Sequence, residues 1–213
     1  MILPEPSLRR LPWYLAHVKL MSENGMEFVS STQIAKATNV DSSQVAKDLS
    51  FIGISGKTRV GYEIKSLVLA LEDFLGFTKR HNACIFGVGS LGGALLQDSG
   101  LGQYGMNLVA GFDIREEVIG SEINGIPIYD IADFAKIQRR KRIKIGILTV
   151  PVEQAQDTAD AMIAGGIKAI WNFTPFRIKV TKDIVVQNTS MYAHLAVMFN
   201  RLNELNEENR NTK

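Results

Sequence analysis

The sequence predicts an α/β chain: a small helical unit, then a parallel sheet wrapped by helices, then one closing helix. Three observations carry this. The first 80 or so residues give short amphipathic helices and no succession of strands. From Ala83 onward, apolar runs alternate with helical patterns, as in a doubly wound sheet. From Ser190 to Leu205 the helical pattern holds Leu195, Ala196, Val197, Met198, Phe199 and Leu202, more apolar surface than one sheet edge needs. The expected divisions are residues 1–80, 81–188 and 189–213.

Taken in order, Ser7 is placed to cap a helix from Leu8 to about Glu23, with Leu11, Leu15, Val18 and Met21 at helical spacing. Pro12 predicts an irregular first turn or a restart there. A Ser cap opens Ser31–Thr38, and after the turn Asn39-Val40 a second short helix begins behind Asp41 and runs to Phe51. Two short helices joined by a tight turn form a helix-turn-helix, whose second member presents Ser43, Gln44 and Lys47 outward. The glycine-rich stretch Gly53–Tyr62 carries Lys57 and Arg59 and reads as a hairpin wing. Short polar side chains at a helix start suit a major groove, and wing cations suit phosphates or the minor groove. Residues 1–80 hold ten basic and eight acidic side chains, so affinity for nucleic acid depends on where the charges sit. A plain helical dimerisation or linker unit is the competing reading. Lys65–Leu75 forms a further amphipathic helix.

The sheet begins with Cys84-Ile85-Phe86, which runs into Gly87-Val88-Gly89-Ser90-Leu91-Gly92 and a helix behind it. In such a strand–turn–helix the first glycine permits the tight turn. The second lets the backbone approach a pyrophosphate, and the third lets the helix pack on the strand. The helix N-terminus then faces the phosphates with free N–H groups. Asn107–Asp113 is the next strand, and Asp113 ends it about 20 residues past the last glycine, where a carboxylate accepts from a ribose hydroxyl. Arg115 could pair with a 2′-phosphate, which Asp113 would repel, so NAD(H) is favoured over NADP(H). Ile114 sits between them. Gly125–Tyr129, Ile143–Thr149, Ile167–Asn172 and Ile184–Gln187 are the remaining strands. Helices are expected from Ile131 to Ile137 and from Glu153 to Ala164. Ligands sit beyond the carboxyl ends of such strands, which places Thr149, Val150 and Pro151, and Asn172, Phe173 and Thr174, beside the cofactor. The run Gln138–Arg142 reads as a solvated helix end.

The 213 residues carry a net charge of +2, which neither demands nor excludes nucleic acid. No apolar run approaches a membrane span, the N-terminus lacks a signal peptide's features, and the single Cys84 makes no internal disulfide, so a cytoplasmic setting is expected. Cys84 reads as a buried core residue. One Cys and three scattered His give no metal site.

The order of these parts resembles the Rex family of redox-sensing transcriptional repressors over almost the whole chain. The resemblance is carried by Arg10-Leu11-Pro12, Val45–Ser50, the wing ending in Gly61-Tyr62, the glycine motif, Phe112-Asp113, Leu148–Pro151, and Gly166-Ile167 through Asn172–Pro175. It implies an N-terminal winged helix-turn-helix domain, a Rossmann-type NAD(H)-binding domain and a C-terminal dimerisation helix swapped into the partner. It also implies a homodimer that binds palindromic operator DNA and lets go when NADH replaces NAD⁺. Lys57, Arg59 and Arg10 would then lie on the DNA backbone. The chain departs from the family pattern at Ala46, where an arginine is usual. Many members carry an arginine at the position of Ala16, a tyrosine near Asp98 and an acid near Ser190, groups thought to couple cofactor to DNA, and none of the three is kept here.

The alternative is a small NAD-dependent oxidoreductase with a helical accessory domain. Hydride transfer to a carbonyl needs an acid–base and a substrate clamp. His17, His81 and His194 are dispersed, only His194 is placed to approach the nicotinamide, and little chain remains for a substrate pocket. A coenzyme A fragment in the same fold is disfavoured by Asp113.

Overall fold

Pro4 and Pro6 open the first helix, because an N–H missing in the first turn costs nothing there. The computed structural model describes residues 3–211, and the chain divides between Lys79 and Arg80 into two units. Helix α1 spans Glu5–Glu23. Ser7 therefore does not cap it. It lies buried inside the helix and accepts a hydrogen bond from Arg10 Nη2 at 3.1 Å. Nor does Pro12 break α1: standing eighth in the helix it forfeits the bond to the Leu8 carbonyl, but the buried face Leu11, Tyr14, Leu15 and Val18 holds the helix through it.

Helix α2 (Ser31–Thr38) starts at a reciprocal capping box, with Gln33 N donating to Ser30 Oγ and Ser30 N donating to Gln33 Oε1. Asn39 turns the chain in the left-handed region at φ 53°. Helix α3 (Ser42–Phe51) follows, and its N-cap Asp41 accepts from the Ser43 N–H at 2.7 Å. Strand β1 (Phe28–Val29) pairs antiparallel with β2 (Tyr62–Glu63), and α4 (Ile64–Phe74) closes the unit. Two residues are too short a strand for periodicity to reveal, so β1 was not expected. Between α3 and β2 the wing doubles back, with reciprocal backbone bonds between Lys57 and Gly61 at 2.8 and 2.9 Å. Gly61 sits at φ +95°, and a Cβ there would lie 2.4 Å from the Val29 carbonyl oxygen, so only glycine fits.

The second unit holds a seven-stranded sheet ordered β5-β6-β4-β3-β7-β8-β9. Its strands are β3 (His81–Phe86), β4 (Met106–Asp113), β5 (Glu122–Ile123), β6 (Ile126–Asp130), β7 (Ile145–Leu148), β8 (Ala169–Asn172) and β9 (Val185–Asn188). All pair in parallel except the edge hairpin β5–β6. Numbered from β3, the parallel strands run 3-2-1-4-5-6, the Rossmann order, with its reversal between β3 and β7. Helices α5 (Ser90–Gln97), α6 (Gly100–Gln103), α7 (Phe134–Lys141) and α8 (Ala155–Ala164) connect them. The core holds Phe86 stacked on Phe112 at 5.2 Å, with Phe134 edge-on to both. β7 and β8 start two residues later than their apolar runs suggest: Ile143 and Ile167 are fully buried in the loops leading in.

Helix α9 (Met191–Asn211) continues well past the expected end near Leu205, since no breaker interrupts its polar last turns. Met191, Leu195, Met198, Phe199, Leu202 and Leu205 are all at least 40% exposed.

Candidate functional site

The carboxyl ends of β3, β4 and β7 enclose a cavity of about 520 Å³. That is within the range of small-molecule sites. Its wall includes Phe86, Gly87, Gly89, Asp113, Ile114, Arg115, Thr149, Val150 and Pro151. The three glycines do separate jobs. Gly87 turns at φ +91°, and a Cβ there would meet the Thr149 carbonyl at 2.9 Å. A Cβ on Gly92 would lie 2.1 Å from the Gly87 carbonyl oxygen, so α5 can approach the turn only without one. A Cβ on Gly89 would meet no atom within 4 Å: the space is open on the cavity side. α5 begins at Ser90 with Gly89 as N-cap and no side chain satisfying its first N–H groups. This is a fit for a dinucleotide pyrophosphate. Val88, Ser90, Leu91 and Gly92 belong to the same turn without lining the cavity.

Asp113 is buried and accepts from the N–H groups of Val88, Ile114 and Arg115 at 2.7, 2.8 and 3.0 Å. Burial pushes its carboxyl up, but the Arg115 guanidinium and these N–H groups outweigh that and hold it below the usual range. Arg115 also donates to the Val88 carbonyl at 2.9 Å, so it is bound to the glycine turn rather than free for a 2′-phosphate. Thr149 closes the other side, its hydroxyl within 2.9 Å of the Phe86 and Gly87 carbonyls. Asn172, Phe173 and Thr174 lie outside the cavity wall. Asn172 is fully buried, donating to Phe176 O and Asn188 Oδ1 and accepting from Thr174 N and Oγ1. Phe173 packs on Trp171 at 4.6 Å. Gln154 and Thr158 do line the cavity and were not anticipated; Gln154 sits one turn after Pro151 and Thr158 one turn further on in α8, where no motif marks them.

In the first unit, Ser43 and Lys47 are exposed on α3, and Lys57 and Arg59 are exposed on the wing. Among the described residues none of these three cations has a salt-bridge partner. Arg59 holds φ 64°, at the tip of the turn. Arg10 is placed otherwise. Its guanidinium grips Asp48 through Nε at 2.7 Å and Nη2 at 3.0 Å, an attachment of α1 to α3 rather than an outward cation. Gln44 is half-buried and its Nε2 also reaches Asp48. Asp48 was missed as a hub because Arg10 lies 38 residues away, and no local pattern links them.

The departures at Asp98 and Ser190 have local work. Asp98 accepts from the Gly100 and Leu101 N–H groups, and Ser190 Oγ accepts from Ala193 N at the start of α9. Ala16 is exposed on α1. Among the described residues no His, Cys, Asp and Glu group is placed to hold a metal ion.

Residues 2–50 match the family model described as putative DNA-binding protein N-terminus, and residues 78–176 match the CoA binding domain model. The redox-sensing transcriptional repressor Rex of Bacteroides fragilis is 63% identical, over 94% of this chain and 91% of its own length. The Rex of Treponema denticola is 41% identical over 92% and 94%. The chain belongs to the Rex family. The crystal structure of RSP in complex with β-NAD⁺ and operator DNA matches with a TM-score of 0.92 at 33% identity, covering 99% of this chain and 97% of that one. The complex of RSP with β-NADH matches at 0.88 over both chains in full. Rex relatives are repressors, so the oxidoreductase reading of the glycine motif is set aside.

Proposed function

We propose that this chain is a redox-sensing transcriptional repressor, a homodimer that holds operator DNA and releases it when NADH replaces NAD⁺. One observation carries the reading. A dinucleotide cleft and a winged helix with outward cations stand on one chain, and RSP, alike over nearly its whole length, is crystallised with both ligand kinds. The cofactor residues are Gly87 to Gly92 for the pyrophosphate, Asp113 with Ile114 and Arg115 for the ribose side, and Thr149, Val150 and Pro151 toward the nicotinamide. Asn172, Phe173 and Thr174 support that end by fixing the loop beyond β8. Ser43, Gln44 and Lys47 face the major groove of a palindromic operator, and Lys57 and Arg59 lie on its backbone or minor groove. Arg10 supports α3 from behind. Bound NAD(H) supplies no reaction here; its two redox forms differ in charge and shape at the nicotinamide, and that difference selects between conformations.

The exposed apolar face of α9 supports dimerisation, with the helix exchanged between protomers. The dimer works in the bacterial cytoplasm, where operators are. No helix among the described residues is long and apolar enough to cross a membrane.

Linkage sets the size of the response. A coupling of about 1–3 kcal/mol lowers operator affinity roughly 5- to 150-fold on NADH binding, and DNA weakens NADH by the same factor. Titrating NADH, then NAD⁺, into the protein bound to a labelled palindromic duplex at fixed salt tests this. Release by NADH alone is expected; specific DNA binding that ignores both nucleotides would refute it.

A further inference from the structure

Asp48 is a carboxylate with no exposed surface, on the helix whose outer side carries the groove-facing residues. Besides the Ser7 hydroxyl, four side-chain donor atoms meet it. Arg10 Nε and Nη2 lie at 2.7 and 3.0 Å, Tyr14 Oη at 2.9 Å and Gln44 Nε2 at 2.8 Å. Three of these come from α1 and fix the seat of α3. The fourth comes from α3 itself, one turn before Asp48.

The Gln44 contact does more than hold the helix. A carboxylate only accepts, so the end of the amide that faces Asp48 must be the NH₂, which settles how the amide lies. With the N–H trans to the amide oxygen on Asp48, Oε1 and the second N–H lie together on the other edge of the amide. Among the described residues that edge has no side-chain partner. This acceptor–donor pair is what a glutamine offers to N6 and N7 of adenine in a major groove. A loose glutamine gives up its rotamers when it binds DNA, whereas one already tied to a buried anion has given them up on folding.

We infer that Asp48 is a positioning residue for operator reading: it sets α3 on α1 and presents the Gln44 amide edge to one base pair. This rests on the DNA-binding reading above. Arg10 and Tyr14 belong to the same device, since they keep the carboxylate ionised and in place while it holds Gln44. A solely structural anchor would need only the α1 contacts and would leave base preference alone.

The test is a double-mutant cycle on the full-length dimer. Wild type, Asp48→Asn, Gln44→Ala and the double variant are titrated onto the palindromic duplex that wild type selects from a random pool. A panel with each half-site base pair replaced in turn is titrated alongside. Asp48→Asn is expected to relax discrimination about tenfold at the same base pair that Gln44→Ala relaxes, the scale of one base contact. On the Gln44→Ala background it should add less than twofold. NADH affinity should be unchanged, which shows the second unit intact. Equal loss across all sequences and in both backgrounds would overturn the inference and leave Asp48 a fold anchor. Wild type selecting no sequence would instead overturn the repressor reading. If Asp48→Asn does not fold, Asp48→Glu, which keeps the charge and moves it one methylene, enters the same cycle with the same expected and overturning outcomes.

Discussion

Arg115 lies across Asp113, with Nη2 3.1 Å from Oδ2 and Nε 3.1 Å from Oδ1. Together with the N–H groups of Val88, Ile114 and Arg115, five donors crowd one carboxylate. A ribose hydroxyl arriving there shares a group that is already charged, oriented and desolvated. Asp113→Ala is therefore expected to weaken NADH ten- to hundredfold, the scale of charged hydrogen bonds. It should weaken NADPH much less, because the loss frees Arg115 for a 2′-phosphate. Calorimetric titration of both nucleotides checks this; an unchanged NADH-to-NADPH ratio would refute it.

The glycines separate binding from folding. Gly89→Ala has room in the protein and should unfold like wild type, yet bind NADH at least tenfold more weakly because the methyl stands in the pyrophosphate space. Gly92→Ala meets the Gly87 carbonyl and should cost about 1–3 kcal/mol of stability as well. Thermal unfolding beside NADH titration distinguishes the two.

Removing Arg10 leaves the buried Asp48 charge with only the neutral donors Ser7, Tyr14 and Gln44 among the described residues. Arg10→Ala should cost about 3–5 kcal/mol in urea unfolding. An outward DNA contact would instead leave stability untouched and weaken operator binding only.

Burial raises the Asp48 carboxyl, and its bonds from Arg10, Gln44, Ser7 and Tyr14 more than reverse this, so it titrates below the usual range. A carboxyl lowered on folding adds stability that is complete above its unfolded value, about 3.9, and is lost as pH falls through the folded value. The stability gap between wild type and Asp48→Asn should therefore be full at pH 7 and shrink as pH drops below about 4. Denaturant midpoints measured across that range give the answer, and a gap that widens on acidification would refute the assignment.

Lys47, Lys57 and Arg59 have no internal ion pair among the described residues, so their charge is free for phosphates. Each changed to alanine removes one cation from each protomer and should reduce the slope of log affinity against log salt by about two for the dimer. Gel-shift titrations at four salt concentrations measure it; unchanged slopes would remove these residues from the interface.

Periodicity and glycine spacing were enough to place the parallel strands from β3 onward, the helix-turn-helix and the cofactor turn, because those signals are local, whereas the two-residue edge strand β5 was not anticipated. Gly87, Gly92 and Asp113 lie where their spacing puts them. What the sequence hid is non-local. Arg10 looks like a surface cation until Asp48 is brought beside it, and Ser7 looks like a cap until the prolines start the helix earlier. Asn172 and Thr174 read as site residues by strand-end position, but their polar groups close on one another.

Among the described residues, helix α9 leaves eight large apolar side chains at least 40% exposed on a single chain. Their burial waits for a second protomer, so assembly enters the law of occupancy. At dilutions where protomers separate, operator filling rises with the square of their concentration, and the redox response then depends on how much repressor the cell makes.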